Sequence, residues 1–252
     1  MNPILIGENI SKYFGEDNEK LIALDEVSVS VNKGEFVAVM GPSGSGKSTL
    51  MFALSSMDSV EKGKVIFGNK ELSSMTENEL SDIRRTKMGF VFQQPTLLKN
   101  LNILDNIILP SYRDGAKERK SLTKKAKELM RETGINGLEK RYSTQVSGGQ
   151  LQRAGICRAL MSEPEIIFAD EPTGALNSKA SSEIMDIFAR INQKGTAIML
   201  VTHDAKVAAR AKRVLFMKDG KIVDELVLSD HTKSGIEKNT ELISETMLKI
   251  EI

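Results

Sequence analysis

Glu35–Thr49 reads EFVAVMGPSGSGKST: a short apolar run of β-branched and small residues, a glycine-rich loop, and a helix beginning near Lys47. Strand, loop and helix in that order are the context a phosphate-binding loop requires. Glycines let the backbone wrap the phosphates, Lys47 reaches the β and γ oxygens, and Ser48 offers its hydroxyl to Mg²⁺. The loop positions facing a nucleotide are then Gly41, Ser43, Gly44, Ser45, Gly46, Lys47, Ser48 and Thr49.

Outward from this loop, short apolar runs alternate with helical patterns. Strands are expected at EFVAVM (35–40), KVIF (64–67), GFVF (89–92), IIFAD (166–170) and AIMLVTH (197–203). The last two are almost wholly apolar, as strands buried on both faces of a parallel sheet are. The alternation predicts an α/β domain over about 1–228. From about 95 to 163 the strands stop and the pattern is helical, which predicts a helical subdomain set into the α/β core. Within it KERKSLTKK is basic, but its acidic neighbours and helical spacing read as a solvated helix face. VLFMKDGKIVDELV predicts a hairpin turning at Asp219–Gly220. Residues 229–252 form a polar C-terminal extension, with a short amphipathic helix expected over NTELISETMLKIEI.

Composition narrows the function. A chain of 252 residues with 40% hydrophobic content fills a sizeable core, and 35 Lys+Arg against 34 Asp+Glu leave a formal charge of +1. No global field draws such a chain to nucleic acid or inserts it directly into a membrane. Cys157 is the single cysteine; lying in the apolar run ICRAL, it reads as a buried, inert thiol, with no internal disulfide open to it. The N-terminus lacks the basic flank of a signal peptide, and no run of about 18 apolar residues could cross a bilayer. The expected location is the cytoplasm or the cytoplasmic face of the membrane.

Two further elements carry chemistry. Asp170 and Glu171 end the apolar run IIFADE, where a carboxylate beside the phosphate loop can hold the Mg²⁺ shell and its neighbour can orient or deprotonate an attacking water. So far kinase, GTPase, helicase and transport motor remain open. The second element is SGGQ, Ser147–Gln150, at the start of another helix: a second anion cradle, without a lysine in its turn.

Five motifs in order, GPSGSGKS, VFQQ (91–94), SGGQ, IIFADEPTGALNS and VTHD (201–204), make the sequence resemble the ABC ATPase family over essentially residues 3–225. The resemblance implies an α/β P-loop fold with a parallel-sheet core, an antiparallel β subdomain and an inserted helical subdomain. It implies ATP and Mg²⁺ as cofactors. By it the catalytic groups are Glu171, His203 and Gln93, the metal is held by Ser48, Gln93 and Asp170, and Tyr13 is the aromatic that stacks on adenine. Ser147, Gly148, Gly149 and Gln150 form the signature, which closes over the phosphates of a second copy, and Gly174–Asn177 is the D-loop. Two positions depart from the family pattern. Val146 stands for the usual leucine before the signature, and Asn177 stands for the usual D-loop aspartate, keeping an acceptor oxygen while losing a charge.

The phrases EPTGAL and LLKNLNILDNIILP resemble the macrolide-export and lipoprotein-release group, and the polar extension resembles its bacitracin-resistance branch. The implied partners are a transmembrane permease and a second copy of the chain, joined in an ATP-dependent homodimer peripheral to the membrane. A cell-division-type ATPase, which signals across the membrane without cargo, is the alternative output. Chromosome-organising relatives need a long coiled coil between P-loop and signature; this interval is about a hundred residues without sustained heptads.

Overall fold

The computed structural model describes residues 2–15, 20–111, 116–229 and 232–251; side chains at 116–118 and 233 lie outside the described residues. Lys117 and Glu118 of the basic stretch, and residues 230, 231 and 252 of the extension, therefore lie outside what can be said of their side chains.

Among the described residues ten strands form two sheets. The larger has the order β10-β9-β3-β8-β7-β6, built from β3 (Phe36–Met40), β6 (Met88–Phe92), β7 (Ile166–Asp170), β8 (Ala197–Val201), β9 (Arg213–Lys218) and β10 (Lys221–Val227). β9-β3-β8-β7-β6 pair parallel, and β10 closes the edge as an antiparallel hairpin arm. The hairpin turns at Asp219 (φ 49°) and Gly220 (φ 75°), the two left-handed residues that a type I′ turn demands. The smaller sheet is antiparallel, with order β2-β1-β4-β5 over β1 (Pro3–Phe14), β2 (Leu21–Asn32), β4 (Lys62–Phe67) and β5 (Lys70–Glu71).

Strand bounds differ from expectation by a residue or two. β8 ends at Val201; Thr202 still donates its N–H to Val39 O at 3.1 Å, and His203 lies beyond the strand. Glu35 precedes β3 and accepts the Asn32 N–H (2.7 Å) and the Arg213 guanidinium (2.7 Å). β1 and β2 escape the reading of residue patterns, since register shifts at Gly7/Ile10 and Ile10/Lys12 and left-handed residues at Asn9 and Glu26 break their period-two alternation.

Alternation along the central strands divides the core in two. Val37, Val39, Phe168, Met199 and Val201 face the antiparallel sheet and α1 (Lys47–Leu54). Phe36, Ala38, Met40, Ile167, Ala169, Ile198 and Leu200 face α5 (Gly148–Leu160), α6 (Ser178–Gln193) and α7 (Ala205–Ala208). Between β5 and β6, α2 (Glu77–Lys87) carries a Thr76–Glu79 capping box. α3 (Ile103–Ile108), α4 (Ala116–Glu132) and α5 enclose a third apolar cluster, including Ile107, Met130, Ala154 and Cys157.

The C-terminal helix is longer than expected. α8 runs Lys233–Lys249 because the Thr232 hydroxyl caps it, accepting from the Gly235 N–H at 3.2 Å. Although polar on average, it seats Ile236, Ile243 and Met247 on the second core.

Candidate functional site

The catalytic-looking side chains all leave the C-terminal ends of parallel strands, where open α/β sheets place their ligands. β3 feeds the P-loop, β7 ends in Asp170 and Glu171, β8 leads to His203, and β6 leads to Gln93, whose preceding Phe92 pairs with Asp170 in register.

The loop is built for close backbone approach. Gly41 (φ 155°) lies against the Met217 carbonyl and Gly46 (φ 97°) against the Ala23 carbonyl, and a side chain at either would collide with backbone. The hairpin turn braces it, with Gly220 N–H donating to Ser45 O at 3.1 Å. Gly46 caps α1 without a side-chain hydrogen bond, and the first turn of that helix holds no acid. Its N–H groups therefore remain available to an anion. Lys47 Nζ donates to Gly41 O (2.9 Å) and Pro42 O (2.7 Å). Burial pushes its ammonium below the ordinary lysine range, opposed by the charges of Glu171 and Asp170.

Opposite the lysine, Ser48 Oγ donates to Asp170 Oδ1 at 3.0 Å. Burial raises the Asp170 pKa, the Ser48 hydrogen bond lowers it, the neighbouring Glu171 charge raises it and Lys47 lowers it; the net direction is up. Glu171 sits at φ 46°, a left-handed conformation unusual for a non-glycine residue. One of its oxygens, Oε1, lies 2.8 Å from His203 Nδ1, while Oε2 is buried without a protein partner. Ser45 Oγ is buried and unpartnered likewise.

A cleft of about 410 Å³ takes in Lys47, Ser48 and Glu171. Its walls include Ser43, Gly44, Gly46–Thr49 and Glu171 on one side and Phe14, Leu21 and Ile22 on the other. Of the two adjacent aromatics, Phe14 lines the cleft, 45% exposed, and Tyr13, the one expected there, does not. A larger cavity, about 700 Å³, opens on the other side of Glu171, between the Thr173–Leu176 turn, His203 and α8.

Gln93 is exposed and rests against Gly174 rather than in the P-loop cleft. The link from Gln93 to the signature is a residue that the sequence reading passed over: buried Gln152, on α5, donates to Phe92 O at 3.0 Å. Its polarity inside an apolar helical face was the available signal.

Ser147 caps α5 in a reciprocal box, Gln150 N–H to Ser147 Oγ at 3.3 Å and Ser147 N–H to Gln150 Oε1 at 2.9 Å. Gly148 and Gly149 keep first-turn N–H groups without intrahelical acceptors. Neither they nor Ser147 and Gln150 line the P-loop cleft. Asn177 caps α6, accepting from Ala180 N–H at 2.9 Å.

The profile of the ABC transporter family matches residues 24–174, which include the P-loop, the Gln93 turn, the signature, Asp170 and Glu171. The chain belongs to the ABC transporter ATPase family. This ABC ATPase is 43% identical over 226 residues to the lipoprotein-releasing system ATP-binding protein LolD of Aquifex aeolicus, covering 90% of the chain and 99% of that relative. It is 40% identical over 237 residues to the bacitracin export ATP-binding protein BceA of Halalkalibacterium halodurans, covering 94% and 93%. It is 42% identical to the macrolide export ATP-binding/permease protein MacB of Mannheimia succiniciproducens, but spans only 35% of that protein's length. Among solved structures, a dimeric post-hydrolysis state of the ATP-binding cassette MJ0796 bound to ADP and Pi superposes with a TM-score of 0.81 at 36% identity, over 90% of this chain and 99% of that one. The fold is that of an ABC cassette and the chemistry is ATP hydrolysis. Among the described residues no helix of this ABC ATPase is long and apolar enough to cross a membrane.

Proposed function

We propose that this ATPase is the nucleotide-binding subunit of an exporter that protects against antimicrobial peptides, working as an ATP-closed homodimer on the cytoplasmic face of a membrane permease. The supporting observation for the peptide branch is the length of the likeness: it runs over 237 residues to the bacitracin export protein, against 226 to the lipoprotein-releasing one.

The site fits Mg·ATP. Ser48 Oγ and Asp170 supply hard oxygen donors 3.0 Å apart, and two adjacent carboxylates short of water favour a cation between them and a triphosphate. Ser48, Asp170 and, from its turn, Gln93 would hold Mg²⁺, which when bound neutralises charge developing on the phosphate oxygens. Phe14 offers its exposed face to the adenine, and the α1 N-terminus with Lys47 binds the triphosphate. Glu171 accepts a proton from water as the water oxygen bonds the γ-phosphorus and the bond to the β,γ-bridging oxygen breaks. His203 holds that carboxylate in place. The signature of a second copy closes over the γ-phosphate through Gly148 and Gly149.

The permease seats beside the Gln93 turn. A groove of about 470 Å³ runs from Phe90 to Thr96, floored by Met88, Gly89 and Ala159 and edged by Arg84, Arg85 and Arg158. Arg158 donates to Thr96 O at 2.7 Å, and burial lowers its pKa. It has no carboxylate partner among the described residues, so the groove suits an apolar segment carrying an acid.

The test is ATPase activity of the chain reconstituted with its co-purified membrane subunit. Stimulation by bacitracin-type peptides is expected. Stimulation by macrolides or a lipoprotein alone, or by none of these with a short four-span partner, would overturn the peptide assignment in favour of efflux, lipoprotein release or signalling.

A further inference from the structure

Lys12, on β1, is only 5% exposed. A buried ammonium needs partners. Its Nζ donates to Asp58 Oδ1 (2.8 Å) and Ser59 O (2.8 Å) and lies 3.3 Å from Glu61 Oε1. Burial alone would push the ammonium down, but the hydrogen bond and charge of Asp58, then those of Glu61, outweigh it and hold the pKa above the ordinary lysine value.

The same Nζ lies over the ring of Phe14, 5.4 Å from its centroid. Although the pairing of β1 shifts register between Lys12 and Tyr13, this contact puts the Lys12 and Phe14 side chains together. Phe14 lines the P-loop cleft and Lys12 does not, so the cation sits on the ring from outside the cleft. The carboxylates come from the segment that follows α1, the helix whose opposite end is the P-loop. Glu61 is stitched to β1 twice more: Oε2 accepts from Tyr13 N–H at 3.1 Å and its own N–H donates to Ser11 O at 3.0 Å. One ammonium thus joins the far end of the phosphate-holding helix to the aromatic ring.

We infer that Lys12 is a positioning residue for the nucleotide base: anchored by Asp58 and Glu61, its ammonium braces one face of Phe14 and fixes the distance from the ring's open face to the P-loop. This rests on the reading of Phe14 as the adenine platform. Asp58 and Glu61 are 39% and 37% exposed, and ion pairs to half-exposed acids contribute little by themselves. A cation over an aromatic face attracts it, and one held from three sides also fixes where the ring lies.

The experiment measures dissociation constants of the full chain for MgADP, which carries the base, and for Mg pyrophosphate, which does not. Lys12→Met should weaken MgADP about 3- to 30-fold, the worth of a cation–π contact, and leave pyrophosphate unchanged. Lys12→Arg should restore MgADP to within about 2-fold, since a guanidinium also sits on aromatic faces. If Lys12→Met does not fold, Asp58→Asn with Glu61→Gln releases the ammonium without removing it and should give the same selective loss. Equal weakening of both ligands, or of neither, overturns the inference. Phe14→Ala separates the two claims. If it weakens MgADP selectively while the Lys12 variants do not, the platform stands and Lys12 has no part in it; if it leaves MgADP unchanged, both fail.

Discussion

Glu171 combines three features that packing alone does not ask for: a left-handed backbone, a carboxylate oxygen on His203 Nδ1, and a second oxygen buried without a protein partner. Strain of this kind costs on the order of 1–3 kcal/mol and concentrates where a side chain must be aimed. Glu171→Gln keeps the shape and removes the proposed base, so ATP should still bind while turnover falls about 10²- to 10⁴-fold in a steady-state ATPase assay. Cys157 is the opposite case, chemically idle. Burial raises its pKa from 9.0 to about 12 despite the Thr133 hydroxyl at 3.1 Å. The unfolded thiol loses its proton first, so between pH 9 and 12 the folded state binds more protons and stability falls as pH rises, by about 1.4 kcal/mol per unit from this group. Urea titrations of wild type and Cys157→Ala should show the shallower alkaline decline in the variant. Motif spacing in the sequence singled out Lys47, Ser48, Asp170 and Glu171; the structure brings Lys47, Ser48 and Glu171 to one cleft, with Asp170 hydrogen-bonded to Ser48. The sequence also singled out Tyr13, whereas the aromatic on the cleft wall is its neighbour Phe14, a difference of one position that the register shifts of β1 hide from the sequence.

The two glycine-containing helix starts differ in how their first-turn donors are satisfied. α1 begins on an uncapped glycine, leaving its first-turn donors free, whereas α5 begins in a Ser147–Gln150 box that satisfies part of its own end. α6 is capped by Asn177 through its carbonyl oxygen, the atom that aspartate would also offer. Asn177→Asp should therefore keep the cap, gain about 0.3–1 kcal/mol from the helix dipole in a denaturation measurement, and leave ATPase activity of the assembled complex within a few-fold of wild type. A loss beyond about tenfold, near 1.4 kcal/mol, would show that the D-loop requires a neutral amide. The central strands were legible as unbroken apolar runs. β1 and β2 were not, since bulges destroy their alternation, and α8 was only half visible because its core-facing residues are spaced among many polar ones.

At the scale of the molecule, the chain carries two glycine-rich helix starts, the P-loop and Ser147–Gln150. The structure keeps them in separate places. The P-loop cleft has no signature residue in its walls, and Ser147 and Gly148 stand exposed beside the Asn177 turn. In the proposed homodimer the signature, which lacks a lysine of its own, would face the lysine of the other copy, and a two-fold pair would form both sites together. Cysteines at Ser43, exposed at the P-loop, and at Gly149, where an added side chain meets only Ala180 Cβ at 3.6 Å, report on this directly in a Cys157→Ala, Glu171→Gln background. A disulfide requires Cα atoms within about 7 Å. Mild oxidation with MgATP should give covalent dimers, and very few without nucleotide; cross-links within single chains, or dimers indifferent to ATP, would contradict the head-to-tail site.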